Sequence, residues 1–277
     1  MDLKQVDYIQ LNGIRLLYHF DENPHANHTL VLLHGFLSSS FSFRKLIPLL
    51  KEHYSVLTVD WPPFGFSEKP KSFEYSYQNI AKTMIELIQK LNLTSVILVG
   101  HSMGGQLAMQ ILKYAPNIAE KGILICGSSY VPRVKKRLIA SSYLPFFSVF
   151  LKKWLEKTGV TGNLQSVVFD QKLINQEMID GYQAPFENKE IFPGLIRFIR
   201  HREGDLPSED IQKIQTPCLL IWGEHDRIVP LETAKKLTDD LPNSSLVIIK
   251  EAGHLVPEEK PEEVFRHINK FLVKNTD

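Results

Sequence analysis

Hydrophobic runs and their spacing divide the chain into alternating elements. Residues 6–11 and 15–20 are strand-like and flank Asn12-Gly13, the dipeptide that most favours a two-residue hairpin turn. A polar loop over 21–28 leads into an apolar run at 30–33 that stops at His34-Gly35. Helical spacing over 43–53 puts Leu46, Ile47, Leu49 and Leu50 on one side. A strand at 56–59 ends at Asp60, before the Pro62-Pro63 turn. The period over 77–91, with Ile80, Met84, Leu87, Ile88 and Leu91 on one face, predicts an amphipathic helix. A buried strand at 96–99, a helix at 104–114 and a strand at 123–126 follow.

Strands alternating with helices predict an α/β fold with a mostly parallel central sheet, flanked by helices on both faces. The alternation then stops. From 130 to about 210 the pattern is mainly helical, with Pro132, Pro145, Pro185 and Pro193 expected as breaks. It returns as a strand at 219–222, a helix at 231–239, a strand at 246–249 and a helix at 262–273. The middle segment therefore reads as an insertion after the sixth strand. Residues 1–129 and 209–277 make the core domain, and 130–208 a helical insertion. Neither a repeat nor a low-complexity segment is visible.

Composition narrows the function classes. Hydrophobic residues are 43% and charged residues 23%, ordinary for a folded domain and incompatible with disorder or a coiled-coil rod. Lys and Arg total 32 against 31 Asp and Glu, so no basic excess points to nucleic acid. Cys126 and Cys218 are the two cysteines. Each sits in an apolar run, so buried thiols in strands are expected rather than a disulfide or a metal site. No apolar stretch approaches the roughly 20 residues of a membrane span. The polar start of the chain lacks an apolar signal region, so a cytoplasmic location is expected.

The chemistry begins at Gly100-His101-Ser102-Met103-Gly104-Gly105, between a strand and a helix. This is G-x-S-x-G in the context it requires: a sharp turn that holds a serine hydroxyl clear of the sheet. A helix N-terminus there also points free N–H groups at the site. With this motif the chain resembles the α/β-hydrolase superfamily over essentially its whole length, and within it the capped, esterase-like branch. The resemblance implies that Ser102 attacks a carbonyl, a histidine takes its proton and an acid orients the histidine. The order Ser, Asp, His is met by Asp226, in Gly223-Glu-His-Asp226-Arg, and by His254, in Ala252-Gly-His254. Glu224 is the rival carboxylate. Relatives that place the acid after the sixth strand have no counterpart in Gly127-Ser-Ser-Tyr130.

By the same match, His34-Gly35-Phe36 resembles the oxyanion loop, and the backbone N–H groups of Phe36 and Met103 are the implied donors. Asp60-Trp-Pro-Pro-Phe-Gly65-Phe-Ser67 resembles the family's D-x-x-G-x-G-x-S loop but has Pro63 where glycine is usual. Pro63 predicts a different path for that loop, with Asp60 and Ser67 structural. His101 is expected to pack beside the turn. The insertion would roof the site. Phe146, Phe147, Phe150 and Trp154 cluster in it, beside Lys152 and Lys153. They read as its own core, as a substrate-facing wall or as a membrane-touching face. Phe36, Phe147, Phe150 and Tyr182 are the candidate pocket residues; Phe186, Arg197 and His201 are further possibilities. Residues 200–205 read as a solvated charged segment.

The implied activity is that of a serine carboxylesterase acting on a small or medium apolar ester through an acyl-enzyme. The alternatives are a meta-cleavage C–C hydrolase, a lactonase, a thioesterase or a perhydrolase. A ligand receptor on the same scaffold is an alternative of another kind. No HExxH, ligand cluster or dinucleotide fingerprint occurs, so neither metal nor cofactor is expected. The partner is a small-molecule substrate, not nucleic acid.

Overall fold

The computed structural model describes residues 7–273, without the side chains of residues 154–156 and 158. The expectations placed on residues 1–6 and on the Trp154 side chain therefore fall outside the described residues. Eight strands form one sheet: β1 (Asp7–Leu11), β2 (Ile14–Asp21), β3 (Thr29–Leu33), β4 (Ser55–Val59), β5 (Val96–His101), β6 (Lys121–Ile125), β7 (Cys218–Gly223) and β8 (Ser244–Ile249). Their spatial order is β1-β2-β4-β3-β5-β6-β7-β8. β1 pairs antiparallel with β2, and β2 antiparallel with β4; the pairs from β4 to β8 are parallel. The first turn is Asn12-Gly13, with φ of 46° and 76°, as a two-residue hairpin requires.

Every residue of β3, β4, β5, β6 and β7 is buried, which is why these segments read as continuous apolar runs. Helices cover the sheet: α1 (Ile47–Lys51), α2 (Tyr77–Lys90) and α3 (Met103–Tyr114) before the middle segment. The helix expected over 43–53 divides into a 3₁₀ turn, Ser40–Phe43, and the short α1. Pro48 explains the division, because a proline fits only the first turn of a helix.

Between β6 and β7 lie α4 (Lys136–Ser141), α5 (Phe147–Val167), α6 (Gln176–Gln183) and α7 (Ile191–His201). Gly159, at φ 66° and ψ 172°, breaks α5 into two helical halves. Pro193 does not break its helix; it lies in the first turn of α7, where an N–H has no helical partner. The buried face of α7 packs on the sheet side through Phe198, 5.6 Å from the Phe64 ring. Arg197 donates to the Lys69 carbonyl at 2.7 Å. Residues 200–205 are not simply solvated. Arg202 pairs with the fully buried Asp205 carboxylate, and Glu203 accepts from the Tyr77 and Gln78 N–H groups at the start of α2. The chain closes with α8 (Ser208–Ile211), α9 (Leu231–Asp240), α10 (Val256–Glu259) and α11 (Pro261–Val273).

Candidate active site

Because β3 and β5 to β8 are parallel, the loops after them all open on one edge of the sheet. That edge, at the carboxyl ends of the strands, is where open α/β sheets bind ligands. The turn between β5 and α3 places Ser102 there at φ 55°, ψ −120°. This strained conformation presents its side chain outward instead of capping α3. Gly104 makes the turn possible, since a Cβ at that position would collide with the Leu33 carbonyl. The loop after β3 also comes close, though less so: a Cβ on Gly35 would lie 3.1 Å from that of Ser102.

Asp226 follows β7 and His254 follows β8. His254 Nε2 is 3.0 Å from Ser102 Oγ, and its Nδ1 is 2.8 Å from Asp226 Oδ2. The second Asp226 oxygen accepts from the N–H groups of Ile228 and Val229, at 2.8 and 2.9 Å. Burial alone would raise the Asp226 pKa. The hydrogen bonds from His254 and from the two amides outweigh it and hold the carboxyl below its ordinary range. An ionised Asp226 fixes the proton of His254 on Nδ1, which leaves Nε2 free to accept from the serine. The set can thus take a proton from Ser102 and stabilise the resulting imidazolium. The rival Glu224 is exposed; its carboxylate accepts from the Glu251 N–H at 3.3 Å and faces His225, not His254.

Two other histidines serve the frame. His101 is buried and its Nε2 donates to the His254 carbonyl at 2.8 Å. Burial and the neighbouring His254 push its pKa down to about 3, so it stays neutral. Burial likewise lowers that of His34, whose ring stacks on Trp61 at 5.5 Å. Asp60 anchors the loop after β4, accepting from Ser40 N at 2.7 Å and Phe66 N at 2.8 Å, while Ser67 donates to the Asp60 carbonyl. Pro63 fits this loop by packing against Gly194 of α7. Cys126 departs from expectation. It sits just past β6 at φ 48°, not in the strand. Its sulfur, an Asp226 oxygen and a His254 nitrogen all lie within 4.8 Å of one another. Burial and the adjacent carboxylate push this thiol well up, so it faces the pair as neutral S–H.

The Met103 N–H opens α3 and the Phe36 N–H follows Gly35; among the described residues neither has a protein acceptor. Above them is a cavity of about 610 Å³, with Ser102, His101 and His254 on its floor. Of the candidate pocket residues, Phe36 and Tyr182 line it, and so does Phe186. Phe147 and Phe150 do not. Phe150 is 63% exposed, with its ring 6.1 Å from that of Phe147, on the outer face of α5. The second half of α5 supplies the wall instead, through Val160, Leu164 and Val167. Periodicity could not tell that face from its opposite, because the Gly159 break resets the helix direction. Arg197 and His201 point to the core loop instead, to the Lys69 carbonyl and the Tyr75 N–H.

With a parallel sheet, a strand–Ser–helix turn and a sequence match to the alpha/beta hydrolase fold over residues 28–261, the family is decided. The chain belongs to the alpha/beta hydrolases. It is 48% identical over 262 residues to the uncharacterized hydrolase YugF of Bacillus subtilis, covering 95% of this chain and 96% of that one. A Haemophilus influenzae relative whose name carries the words esterase and lipase is 28% identical, over 89% and 83% of the two chains. A meta-cleavage product hydrolase from Pseudomonas fluorescens superposes with a TM-score of 0.79 at 21% identity, over 99% of each chain; this likeness is one of fold. Among the described residues no helix is long and apolar enough to cross a membrane.

Proposed function

We propose that this alpha/beta hydrolase is a serine carboxylesterase acting on small or medium apolar esters, with Ser102, His254 and Asp226 as its catalytic residues. The observation that carries the reading is the bridge of His254 between Ser102 Oγ and Asp226, at 3.0 and 2.8 Å, on the floor of a cavity. In the first step Ser102 Oγ attacks the ester carbonyl and its proton passes to His254 Nε2. The oxyanion accepts from the Phe36 and Met103 N–H groups, with the α3 N-terminus adding its partial charge. The tetrahedral intermediate collapses, and the leaving alcohol takes the proton from His254. Water then attacks the acyl-enzyme with His254 again as base, releasing the acid and restoring Ser102.

Residues 130–208 act as a cap, and 1–129 with 209–277 as the core that carries the chemistry. The cavity supports an apolar substrate: among its described lining residues only Lys152 and Glu187 carry a lysine, arginine or acidic side chain, set among apolar ones such as Val160, Leu164, Phe186 and Phe192. Relatives at 26–27% identity named as hydrolases of 2-hydroxy-6-oxo dienoic acids support C–C bond hydrolysis as the second reading to test.

A fluorophosphonate probe should label Ser102 alone, and Ser102→Ala should abolish both labelling and turnover across an ester panel, losing up to ~10⁶ in kcat. Labelling at another serine, or hydrolysis undiminished in Ser102→Ala, would overturn the assignment. Absence of any steady turnover by the unmodified, folded protein, in a preparation whose Ser102 the probe labels, would favour a receptor.

A further inference from the structure

The outer face of the segment between β6 and β7 is apolar where a folded domain is usually polar. Phe146 is 80% exposed, Tyr143 67%, Leu144 64% and Phe150 63%, with Leu138 and Val149 half-exposed. Single exposed apolar residues are ordinary, but a contiguous set marks an interaction surface. Val149, Phe150 and Lys153, related by i+3 and i+4 steps, share one stripe of the first half of α5, and Phe146 immediately precedes that helix. Phe146 also adopts φ 64°, the left-handed region that disfavours a bulky side chain, and its ring recovers no burial in return.

Charge is segregated in the same stretch of chain. Between Val131 and Lys153 the sequence holds six cations, Arg133, Lys135, Lys136, Arg137, Lys152 and Lys153, and no Asp or Glu. All six are exposed, and the rest of the chain is net acidic. Five of the six bracket the apolar side chains, from the start of α4 and, through Lys153, from the end of the stripe, while Lys152 lies over the Phe192 ring at the cavity wall. Beyond Gly159 the same helix turns inward and lines the cavity with Val160 and Leu164, so the face adjoins the pocket wall.

We propose that this face docks on an anionic lipid bilayer. The aromatic and aliphatic side chains would enter the headgroup–acyl boundary, with the Lys and Arg side chains reaching back to the phosphates. A second copy of the chain fits less well. A two-fold contact would set this face against itself and bring both sets of cations together. Docking is independent of the chemistry proposed above, so Ser102→Ala protein should bind vesicles as the intact protein does.

The test is co-sedimentation with phosphatidylcholine vesicles and with phosphatidylcholine–phosphatidylglycerol vesicles. The intact protein should partition to the anionic vesicles at low salt and be released as salt rises. Each cation near an anionic surface contributes roughly a fivefold factor, so Lys135→Glu with Lys136→Glu should lower partition by about 25-fold or more. Phe146→Ser with Val149→Ser should lower it roughly tenfold or more. Melting temperatures and turnover of a soluble ester should stay near those of the intact protein in both variants, since the altered side chains are exposed and outside the cavity. Equal binding to neutral and anionic vesicles would overturn the proposal, as would no binding at low salt or variants that bind like the intact protein. Light scattering without vesicles supplies a further check: a dimer that either variant dissociates would assign the face to a second copy.

Discussion

Asp226→Asn separates the carboxylate's electrostatic task from its structural one. In the folded protein one Asp226 oxygen holds the Ile228 and Val229 amides at 2.8 and 2.9 Å, and the other accepts from His254 Nδ1 at 2.8 Å. Asparagine can keep both amides on its carbonyl oxygen. Its NH₂ group then faces Nδ1 as a donor. The imidazole answers by moving its proton to Nε2, which points at Ser102 Oγ from 3.0 Å. A protonated Nε2 cannot accept the serine proton, so the base is lost while the fold survives. Triad acids lost this way cost about 10⁴ in kcat, equivalent to roughly 5 kcal/mol of transition-state stabilisation. The melting temperature should change little, because the turn keeps its hydrogen bonds. The assay is kcat and KM on a short p-nitrophenyl ester, with thermal unfolding measured beside it. Glu224→Gln is the control; Glu224 is exposed and its activity should stay within a few-fold. A crippled Glu224→Gln beside an active Asp226→Asn would refute the assignment of the acid.

Val160→Trp should shorten the acyl chain that the enzyme prefers by several carbons, because Val160 lines the cavity and each methylene excluded is worth about 1–3 kcal/mol of discrimination; Phe147→Ala should leave the chain-length profile unchanged, and the reverse pattern on an ester series would put the pocket on the other face of α5. Lys69 is 4% exposed, with its ammonium donating to the Gly65 and Ser67 carbonyls. Burial pushes its pKa down to about 8, against the pull of Asp60 and Glu190. Between about pH 8 and pH 10 the unfolded chain then binds more of this proton than the folded one, so stability rises with pH across that window, by up to about 3 kcal/mol. Urea unfolding of Lys69→Met at pH 7 and pH 10 should show that rise removed, and an undiminished rise would mean another group carries it.

Much of the frame was legible because burial on both faces leaves an unmistakable signal. The runs at 30–33, 56–59, 96–99 and 219–222 match β3, β4, β5 and β7 to within two residues at their ends. The elbow at Ser102 was legible for a different reason: glycines at fixed offsets answer a steric demand visible in the close approach of Gly104 to Leu33. What pattern reading missed depends on direction and distant partners. Phe147 and Phe150 have the composition of a pocket wall, yet the Gly159 break decides which half of α5 faces inward. Cys126 reads as one more strand residue, and only the pairing of β6 with β7 brings its thiol beside Asp226. Glu203 reads as a solvated charge because its partners, the first amides of α2, lie about 125 positions away.

The sheet order also sets when the site can exist. Ser102 and His254 are 152 positions apart, and β8, which delivers His254, is held by β7 alone at the rim of the sheet. On a ribosome the serine emerges long before the imidazole. A serine hydroxyl with no base beside it is a feeble nucleophile, so a half-synthesised chain is chemically silent toward its neighbours. Parallel pairings between distant segments are also the slow steps of folding. Whatever bond the site cleaves, the onset of turnover during refolding therefore times the docking of the last strand, whereas far-ultraviolet circular dichroism follows helices that form from local contacts.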